Sequence, residues 1–306
     1  MQAEVQNLFK GFSSGVVVAK NDTCAVDIPY VTAGTGPPLL LLHGAPQTKV
    51  MWHRVAPTLA ERFTVVATDL RGYGDASKPD GGPRHENYSK RAMAADQLAV
   101  MQALGHSHFM LAGHDRGGRV AHRLALDHPQ AVSKLMVLDI APTLSMFEQT
   151  DMNFATAYWH WFFYQQKAPL PETLVGADPE FMLKTFMGGR HAGLSAFDAT
   201  AWSEYLRCAQ DPATLHAMCE DYRAAASIDL EHDRVDRSAK AVLQMPVRVL
   251  WGEFGVLNRC FKPLDHWRTF ARTVSGGLLP CGHYIAEEVP ELLLAQCFEF
   301  FGDQAA

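Results

Sequence analysis

The sequence has no hydrophobic run long enough to cross a bilayer. A membrane-spanning helix needs roughly 18 consecutive apolar residues, whereas the aliphatic run at 39–42 contains only four leucines. The first 20 residues also lack a positively charged segment followed by an apolar one, so no secretory signal peptide is expected there. These absences argue against membrane association and favour a cytoplasmic location.

Positive charge and paired cysteines are also scarce. The 27 Lys and Arg residues are fewer than the 33 Asp and Glu residues, and the formal net charge of −6 argues against nucleic acid as a partner. None of the six cysteines has the spacing of a metal ligand or a CxxC pair, so we expect reduced structural thiols and no metal. The 306 residues suffice for one large domain with an inserted subdomain, or for two domains.

Strand and helix patterns alternate along most of the chain. A hairpin over 15–33, turning at Asn21-Asp22, is followed by predicted strands at 38–43, 63–69, 108–112, 134–139, 245–251 and 276–279, and by predicted helices at 51–61, 88–104, 119–126 and 290–301. Such alternation predicts an α/β fold with a mostly parallel sheet covered on both faces.

The alternation is interrupted after Pro142. From there to about residue 239 the pattern is helical and rich in aromatic residues, with proline interruptions at 169–171. We therefore expect a core domain built from residues 1–142 and 240–306, with a helical cap formed by residues 143–239.

The segment Gly113-His-Asp-Arg-Gly117 is the most informative motif. It joins a predicted strand to a predicted helix, which is the nucleophile-elbow layout of the α/β-hydrolase fold. The glycines are needed because neighbouring Cβ atoms would clash in so tight a turn. Asp115 stands where a serine is common, which disfavours an ester hydrolase. An aspartate nucleophile would instead form an ester of its own carboxylate by displacement at carbon.

A histidine and an orienting acid should complete a catalytic triad with Asp115. His283 follows the last predicted strand, as the fold requires. Two acids are candidates for its partner: Asp139 at the end of the strand after the elbow, and Glu253 after the strand at 245–251. Asp139 is preferred, and capping of a turn is its alternative role.

Two arginines on the elbow helix indicate an anionic substrate. Arg116 and Arg119 are three residues apart and lie on one helical face. A nucleophilic carboxylate approaching an anionic substrate meets a repulsion of about 4 kcal/mol at roughly 4 Å, which two guanidinium groups can cancel. The alternative is that one arginine pairs structurally with an acid such as Asp127 or Glu220.

The aromatic run at 158–164 of the predicted cap is expected mainly to pack. Within it, His160 and Trp161 each carry an N–H that could face the nucleophile, and Tyr222 could add an O–H. Three neutral donors would suit a departing halide, above all fluoride.

These motifs together resemble the fluoroacetate (haloacetate) dehalogenases of the α/β-hydrolase fold. The likeness covers nearly the whole chain and is carried by His43-Gly-Ala-Pro-Gln-Thr48, Asp69-Leu-Arg-Gly-Tyr-Gly74, Gly113-His-Asp-Arg-Gly-Gly-Arg119, Ala125-Leu-Asp-His-Pro129, His160-Trp161, Cys219-Glu-Asp-Tyr-Arg223 and Gly282-His283.

The resemblance implies a role for each candidate residue. Asp115 would be the nucleophile, His283 the base and Asp139 its partner; Arg116 and Arg119 would bind the substrate carboxylate, and His160, Trp161 and Tyr222 would surround the halide. It also suggests a homodimer. One residue departs from the pattern: relatives often carry Phe where this chain has Ala45, and the smaller side chain favours α-substituted or heavier haloacids.

The expected reaction is hydrolysis of a 2-haloacid to a 2-hydroxy acid through an Asp115 ester, without a cofactor. Backbone N–H groups of Ala45 and Arg116 would hold the oxyanion. Two alternatives stay open. An epoxide hydrolase shares the aspartate nucleophile and needs two cap tyrosines, for which the candidates are Tyr158, Tyr164, Tyr205 and Tyr222. A non-catalytic ligand-binding protein of this fold is the second.

Overall fold

An eight-stranded sheet forms the centre of the molecule. The computed structural model describes residues 2–20 and 24–302, so the predicted turn at Asn21-Asp22 lies outside the described residues. The strands are β1 Ser13–Lys20, β2 Ala25–Ala33, β3 Pro38–Leu42, β4 Thr64–Thr68, β5 Phe109–His114, β6 Val132–Leu138, β7 Val247–Gly252 and β8 Val274–Leu279. Their order is β1-β2-β4-β3-β5-β6-β7-β8.

The sheet is antiparallel at one edge and parallel elsewhere. Strand β2 pairs antiparallel with β1 and β4, and every other neighbouring pair is parallel. Every residue of β5 is buried, as are the four leucines of β3, because parallel strands in the middle of a sheet are covered on both faces. The predicted mostly parallel α/β fold is confirmed.

Sixteen α-helices flank the sheet in the described part of the chain. They are α1 Gln2–Leu8, α2 Ala56–Leu59, α3 Lys90–Ala103, α4 Arg116–Asp127, α5 Thr143–Glu148, α6 Met152–Ala157, α7 Trp159–Tyr164, α8 Leu170–Gly176, α9 Pro179–Gly188, α10 Ala199–Ala209, α11 Pro212–Ala225, α12 Ile228–Ser238, α13 Val256–Cys260, α14 Pro263–Arg268, α15 Ile285–Glu288 and α16 Pro290–Gly302. Short 3₁₀ helices cover Lys49–Trp52, Glu86–Tyr88 and Gly193–Ala196. None of the described helices is long and apolar enough to cross a membrane.

The helix predicted over 51–61 is wrong. The chain forms a 3₁₀ helix at Lys49–Trp52 and then the single turn α2. Pro57 lies in the first turn of α2, and its ring nitrogen has no hydrogen to donate to the carbonyl of His53. A continuous helix through this segment would lack that hydrogen bond, so the chain starts a new helix instead.

Eight of the α-helices, α5–α12, lie between β6 and β7. This segment is the predicted cap, and it is helical as expected; the domain division at residues 142 and 240 stays a prediction. Helix α11 is connected to the core through Asp221, whose buried side chain accepts hydrogen bonds from Tyr73 and Arg116.

The elbow depends on close approach between α4 and β3. A Cβ atom on Gly117 would lie 2.3 Å from the carbonyl oxygen of His43 and 2.5 Å from that of Leu42. Backbone oxygens in the middle of a sheet cannot move aside, so only glycine fits at this position.

Replacing Gly117 by alanine should therefore lower the free energy of unfolding by about 3 kcal/mol, through overpacking against backbone. Gly176→Ala is the matched control, since a Cβ there would meet only a Leu215 methyl at 3.8 Å and should change stability by less than about 1 kcal/mol. Urea denaturation measures both variants. Equal stability of the two would show that the elbow tolerates a side chain.

Candidate active site

Asp115 lies at the apex of the turn between β5 and α4. Its backbone has φ 47° and ψ −116°, a conformation that is strained for any residue other than glycine. The Asp115 N–H donates to the carbonyl of Leu138 at 3.2 Å, and its own carbonyl accepts from Arg119 N–H at 3.2 Å. The side chain is held as well, because the backbone N–H of Ala45 donates to Asp115 Oδ1 at 3.1 Å.

The Asp115 carboxylate is buried and ionised. Burial alone would raise its pKa, but the neighbouring charges of His283, His114, Arg119 and Arg116 lower the pKa to about 2. Asp115 is therefore ionised at neutral pH, which is the form that its predicted role as a nucleophile requires.

His283 is oriented by Asp139, as predicted. The His283 Nδ1 atom lies 2.5 Å from Asp139 Oδ2, and Asp139 Oδ1 accepts the Gly252 N–H at 3.0 Å. Asp139 follows β6 directly and has φ 51°, so its side chain turns toward the histidine loop. Glu253, the other candidate, is exposed and has no hydrogen bond to His283 in the described part of the chain.

Arg116 pairs with an acid that the sequence analysis did not consider. Its Nε donates to Asp221 Oδ2 at 2.8 Å and its Nη2 donates to Asp221 Oδ1 at 2.7 Å, with both side chains fully buried. The alternative of a structural ion pair is therefore confirmed for Arg116, but its two example partners are wrong: Asp127 pairs with Arg91 and Arg123, and Glu220 pairs with Arg223. Only Nη1 of the Arg116 guanidinium lacks a partner among the described residues.

Arg119 has no carboxylate partner in the described chain. Its Nη1 donates to Thr143 Oγ1 at 2.9 Å and to the carbonyl of Ala141 at 3.3 Å, while Nε has no partner. The side chain is 3% exposed. Burial and the Arg116 charge lower its pKa to about 10, so it is still a cation at neutral pH. The site therefore contains a buried guanidinium that has no ion-pair partner among the described residues and interacts electrostatically with Asp115.

The three predicted halide ligands are buried in the cap near these arginines. The Arg119 Cζ atom lies 4.6 Å from the Trp161 ring centroid, and Arg116 Cζ lies 4.4 Å from that of Tyr222. His160 and Tyr222 have ring centroids 6.2 Å apart in an edge-to-face arrangement.

Their polar groups have the properties expected of neutral donors. Trp161 Nε1 is buried without a hydrogen-bond partner in the described residues. Burial, together with the Arg190 charge, lowers the pKa of His160 well below its usual value. Burial and the Asp115 charge raise the pKa of the Tyr222 hydroxyl. His160 is therefore a neutral imidazole and Tyr222 a neutral phenol.

Sequence reasoning missed three residues around the site: His114, Asp221 and Arg190. His114 Nε2 lies 2.8 Å from the His283 carbonyl oxygen, fixing the histidine loop against β5. Asp221 locks Arg116, and Tyr158 packs on His160 with ring centroids 5.1 Å apart. Arg190 lies over Tyr158. Asp221 directly precedes Tyr222 in the motif Cys219-Glu-Asp-Tyr-Arg223, so the sequence contained a signal for it. No sequence motif pointed to Arg190.

The described residues contain no group of three His, Cys, Asp or Glu side chains that could hold a metal ion.

Comparison with known proteins agrees with this geometry. The family model for the alpha/beta hydrolase fold matches residues 37–289. A fluoroacetate dehalogenase from Burkholderia sp. is 46% identical over 297 residues, which is 97% of this chain and 96% of the relative. A soluble epoxide hydrolase from Corynebacterium sp. (strain C12) is 34% identical, over 89% of this chain and 92% of the relative.

A solved structure shares the same fold. A protein from Nostoc sp. PCC 7120, described as an α/β hydrolase, is 53% identical and superimposes with a TM-score of 0.93, covering 97% of this chain and 100% of that one. The predicted resemblance to the fluoroacetate dehalogenases is confirmed by the Burkholderia relative. On its family match, its sheet and its elbow, the chain is a hydrolase that belongs to the α/β-hydrolase fold family.

Proposed function

We propose that this enzyme hydrolyses 2-haloacids such as fluoroacetate to 2-hydroxy acids. The observation that carries the proposal is Arg119, a buried cation beside Asp115 without a carboxylate partner in the described residues. An uncompensated buried charge is costly, and a substrate carboxylate would neutralise it. The 46% identity to a fluoroacetate dehalogenase supports the same substrate class.

The first step forms an ester. Asp115 Oδ1 is occupied by the Ala45 N–H, so Oδ2 is the oxygen free to attack the α-carbon in line with the carbon–halogen bond. The new C–O bond forms as the halogen leaves with its electron pair. His160, Trp161 and Tyr222 would receive the halide through neutral N–H and O–H donors, and Arg119 with Arg116 Nη1 would hold the carboxylate.

The second step hydrolyses the ester. His283 Nε2 removes a proton from water while Asp139 holds Nδ1, and the hydroxide attacks the Asp115 carboxyl carbon. The negative charge that develops on Oδ1 is stabilised where the Ala45 N–H already donates, with the Arg116 backbone N–H as second donor. Collapse breaks the bond between the carboxyl carbon and Oδ2, the departing alkoxide takes the proton from His283, and the 2-hydroxy acid, inverted at a chiral α-carbon, leaves as Asp115 ionises again. The scheme requires neither a cofactor nor a metal.

An epoxide hydrolase is the second candidate, and one observation favours it. Of the four tyrosines considered, Tyr205 donates to Glu287 at 3.0 Å and Tyr164 stacks on Tyr222. Tyr158 and Tyr222, in contrast, both have a pKa raised by burial and by the Asp115 charge, so two cap hydroxyls lie within the field of the nucleophile. A neutral epoxide, however, leaves Arg119 without a counter-ion. Ligand binding without catalysis is disfavoured by the assembled Asp115, Asp139 and His283.

Three further expectations belong to this proposal. Ala45 is fully buried next to the nucleophile, and its small side chain favours substrates with an α-substituent or a heavier halogen. A cytoplasmic location and a homodimer also stay predictions.

Replacing His283 by Asn should leave ester formation intact and stop hydrolysis, because asparagine cannot take a proton from water. Mass spectrometry of the variant incubated with fluoroacetate should find a carboxymethyl group on the Asp115 peptide, with one equivalent of fluoride released. Asp115→Ala is the control and should release none. Fluoride release without an adduct would contradict the scheme, whereas turnover of epoxides alone would favour the second candidate.

Arg119→Gln should lower kcat/KM for chloroacetate by the equivalent of about 2–5 kcal/mol, since it removes one partner of a buried charge pair. Chloroacetamide, which is neutral, should be affected much less. The exposed Arg91→Gln, whose ion pair with Asp127 lies at the surface, is the control for the loss of an arginine. Equal losses with the acid and the amide would mean that Arg119 does not bind the carboxylate.

A further inference from the structure

Arg190 lies in the wall of a cleft that opens onto the active site. It follows α9 by two residues, and the cleft is also lined by His160, His283, Phe186 and Arg259. The Arg190 Cζ atom lies 5.2 Å from the Tyr158 ring centroid and 5.5 Å from that of Phe186. Two aromatic faces thus hold the guanidinium in place.

The Arg190 guanidinium has no anionic partner in residues 2–20 and 24–302. It forms no ion pair or hydrogen bond there, and its Nε is a buried donor without an acceptor. Burial alone would lower its pKa, but Tyr158, Tyr284 and the carboxylates of Asp139 and Asp115 raise it. Arg190 is therefore a cation with unused donors. Aromatic stacking holds the guanidinium without satisfying its buried Nε–H, so Arg190 has a donor and a positive charge available for an anion.

The position of Arg190 indicates which anion this is. His160 packs on Phe186 with ring centroids 4.5 Å apart and on Tyr158 at 5.1 Å, and these are the two rings that Arg190 covers. Arg190 and His160 thus share both aromatic neighbours. After burial, the Arg190 charge is the main influence that lowers the pKa of His160.

The negative charge of Asp115 is compensated mainly by groups other than Arg190. Burial raises the pKa of Asp115, and electrostatic interactions with His283, His114, Arg119 and Arg116 lower it; the two arginines are the permanent cations among these groups. Arg119 is also the cation available for the substrate carboxylate. Arg190 is therefore associated with the His160 end of the site, where the leaving group of the proposed reaction would collect.

We propose that Arg190 is an additional halide-binding residue, which receives the departing halide beside His160 and guides it into the cleft. The inference rests on the proposed dehalogenation. During displacement a negative charge moves from Asp115 to the halogen, and the bonds formed and broken are those already described. A cation on the halide side gains attraction as this charge arrives, so it stabilises the transition state more than the bound substrate.

Halide binding can be measured without turnover. Trp159 lines the cleft and Trp161 packs against Arg119, so titration with bromide or iodide alone should quench tryptophan fluorescence. In Arg190→Gln the Kd for bromide should rise about tenfold, the effect of losing a charged hydrogen-bond donor. Arg190→Lys keeps the charge but loses the planar stacking on the two rings, so its Kd should rise clearly less than that of Arg190→Gln. Arg259→Gln removes an exposed arginine of the same cleft and should leave the Kd unchanged.

Arg190→Met retains packing against Tyr158 and serves as the second uncharged variant if Arg190→Gln does not fold, which thermal unfolding will show. An unchanged Kd in the uncharged variant, an equal increase in Arg190→Lys, or no halide binding by the wild type would overturn the inference. The halide titration and the adduct experiment fail independently. If His283→Asn forms the Asp115 adduct but the Arg190 variants bind bromide with an unchanged Kd, the proposed dehalogenation stands and only the role of Arg190 is removed.

Discussion

Keeping a buried carboxylate ionised is the constraint on which the rest of this site depends. Burial raises the pKa of Asp115, yet nearby cationic groups lower it to about 2. The elbow geometry requires the same burial, because close packing of α4 on β3 is what presents Asp115 at the end of the sheet. Charged residues that would be costly in an ordinary core, among them Arg116 and Arg119, are therefore concentrated around one residue.

The charges in the site have separate tasks. The Arg116–Asp221 pair is fully buried and ties cap helix α11, with Tyr222 as its next residue, to the elbow helix, while Arg116 Nη1 stays without a partner among the described residues and available to a substrate carboxylate. Arg119 and Arg190 are not neutralised in this way. Arg119 packs on Trp161, and Arg190 packs on Tyr158 and Phe186; in the proposed reaction the first would hold the substrate carboxylate and the second the leaving halide.

Local patterns were sufficient to predict the elbow, the sheet and the Asp139–His283 contact, because each depends on a strand end and a short turn. The prediction of one continuous helix over 51–61 failed because Pro57 interrupts this segment. The partner of Arg116 could not be identified from spacing, since Asp221 lies 105 residues away and only cap packing brings the two together. Arg190 was missed for the same reason. It follows α9, whereas Tyr158, over whose ring it lies, precedes α7, and His160, which packs on Tyr158, lies within α7.

Formation of a covalent ester on Asp115 is the central step of the proposed reaction, and isotope labelling tests it directly. With enzyme in excess over chloroacetate in H₂¹⁸O, a single turnover should give unlabelled 2-hydroxy acid and place ¹⁸O in the Asp115 carboxylate, because water attacks the ester at the enzyme's carboxyl carbon. Product labelled in that first turnover, with an unlabelled Asp115 peptide, would mean that water attacks the substrate directly and would contradict the mechanism.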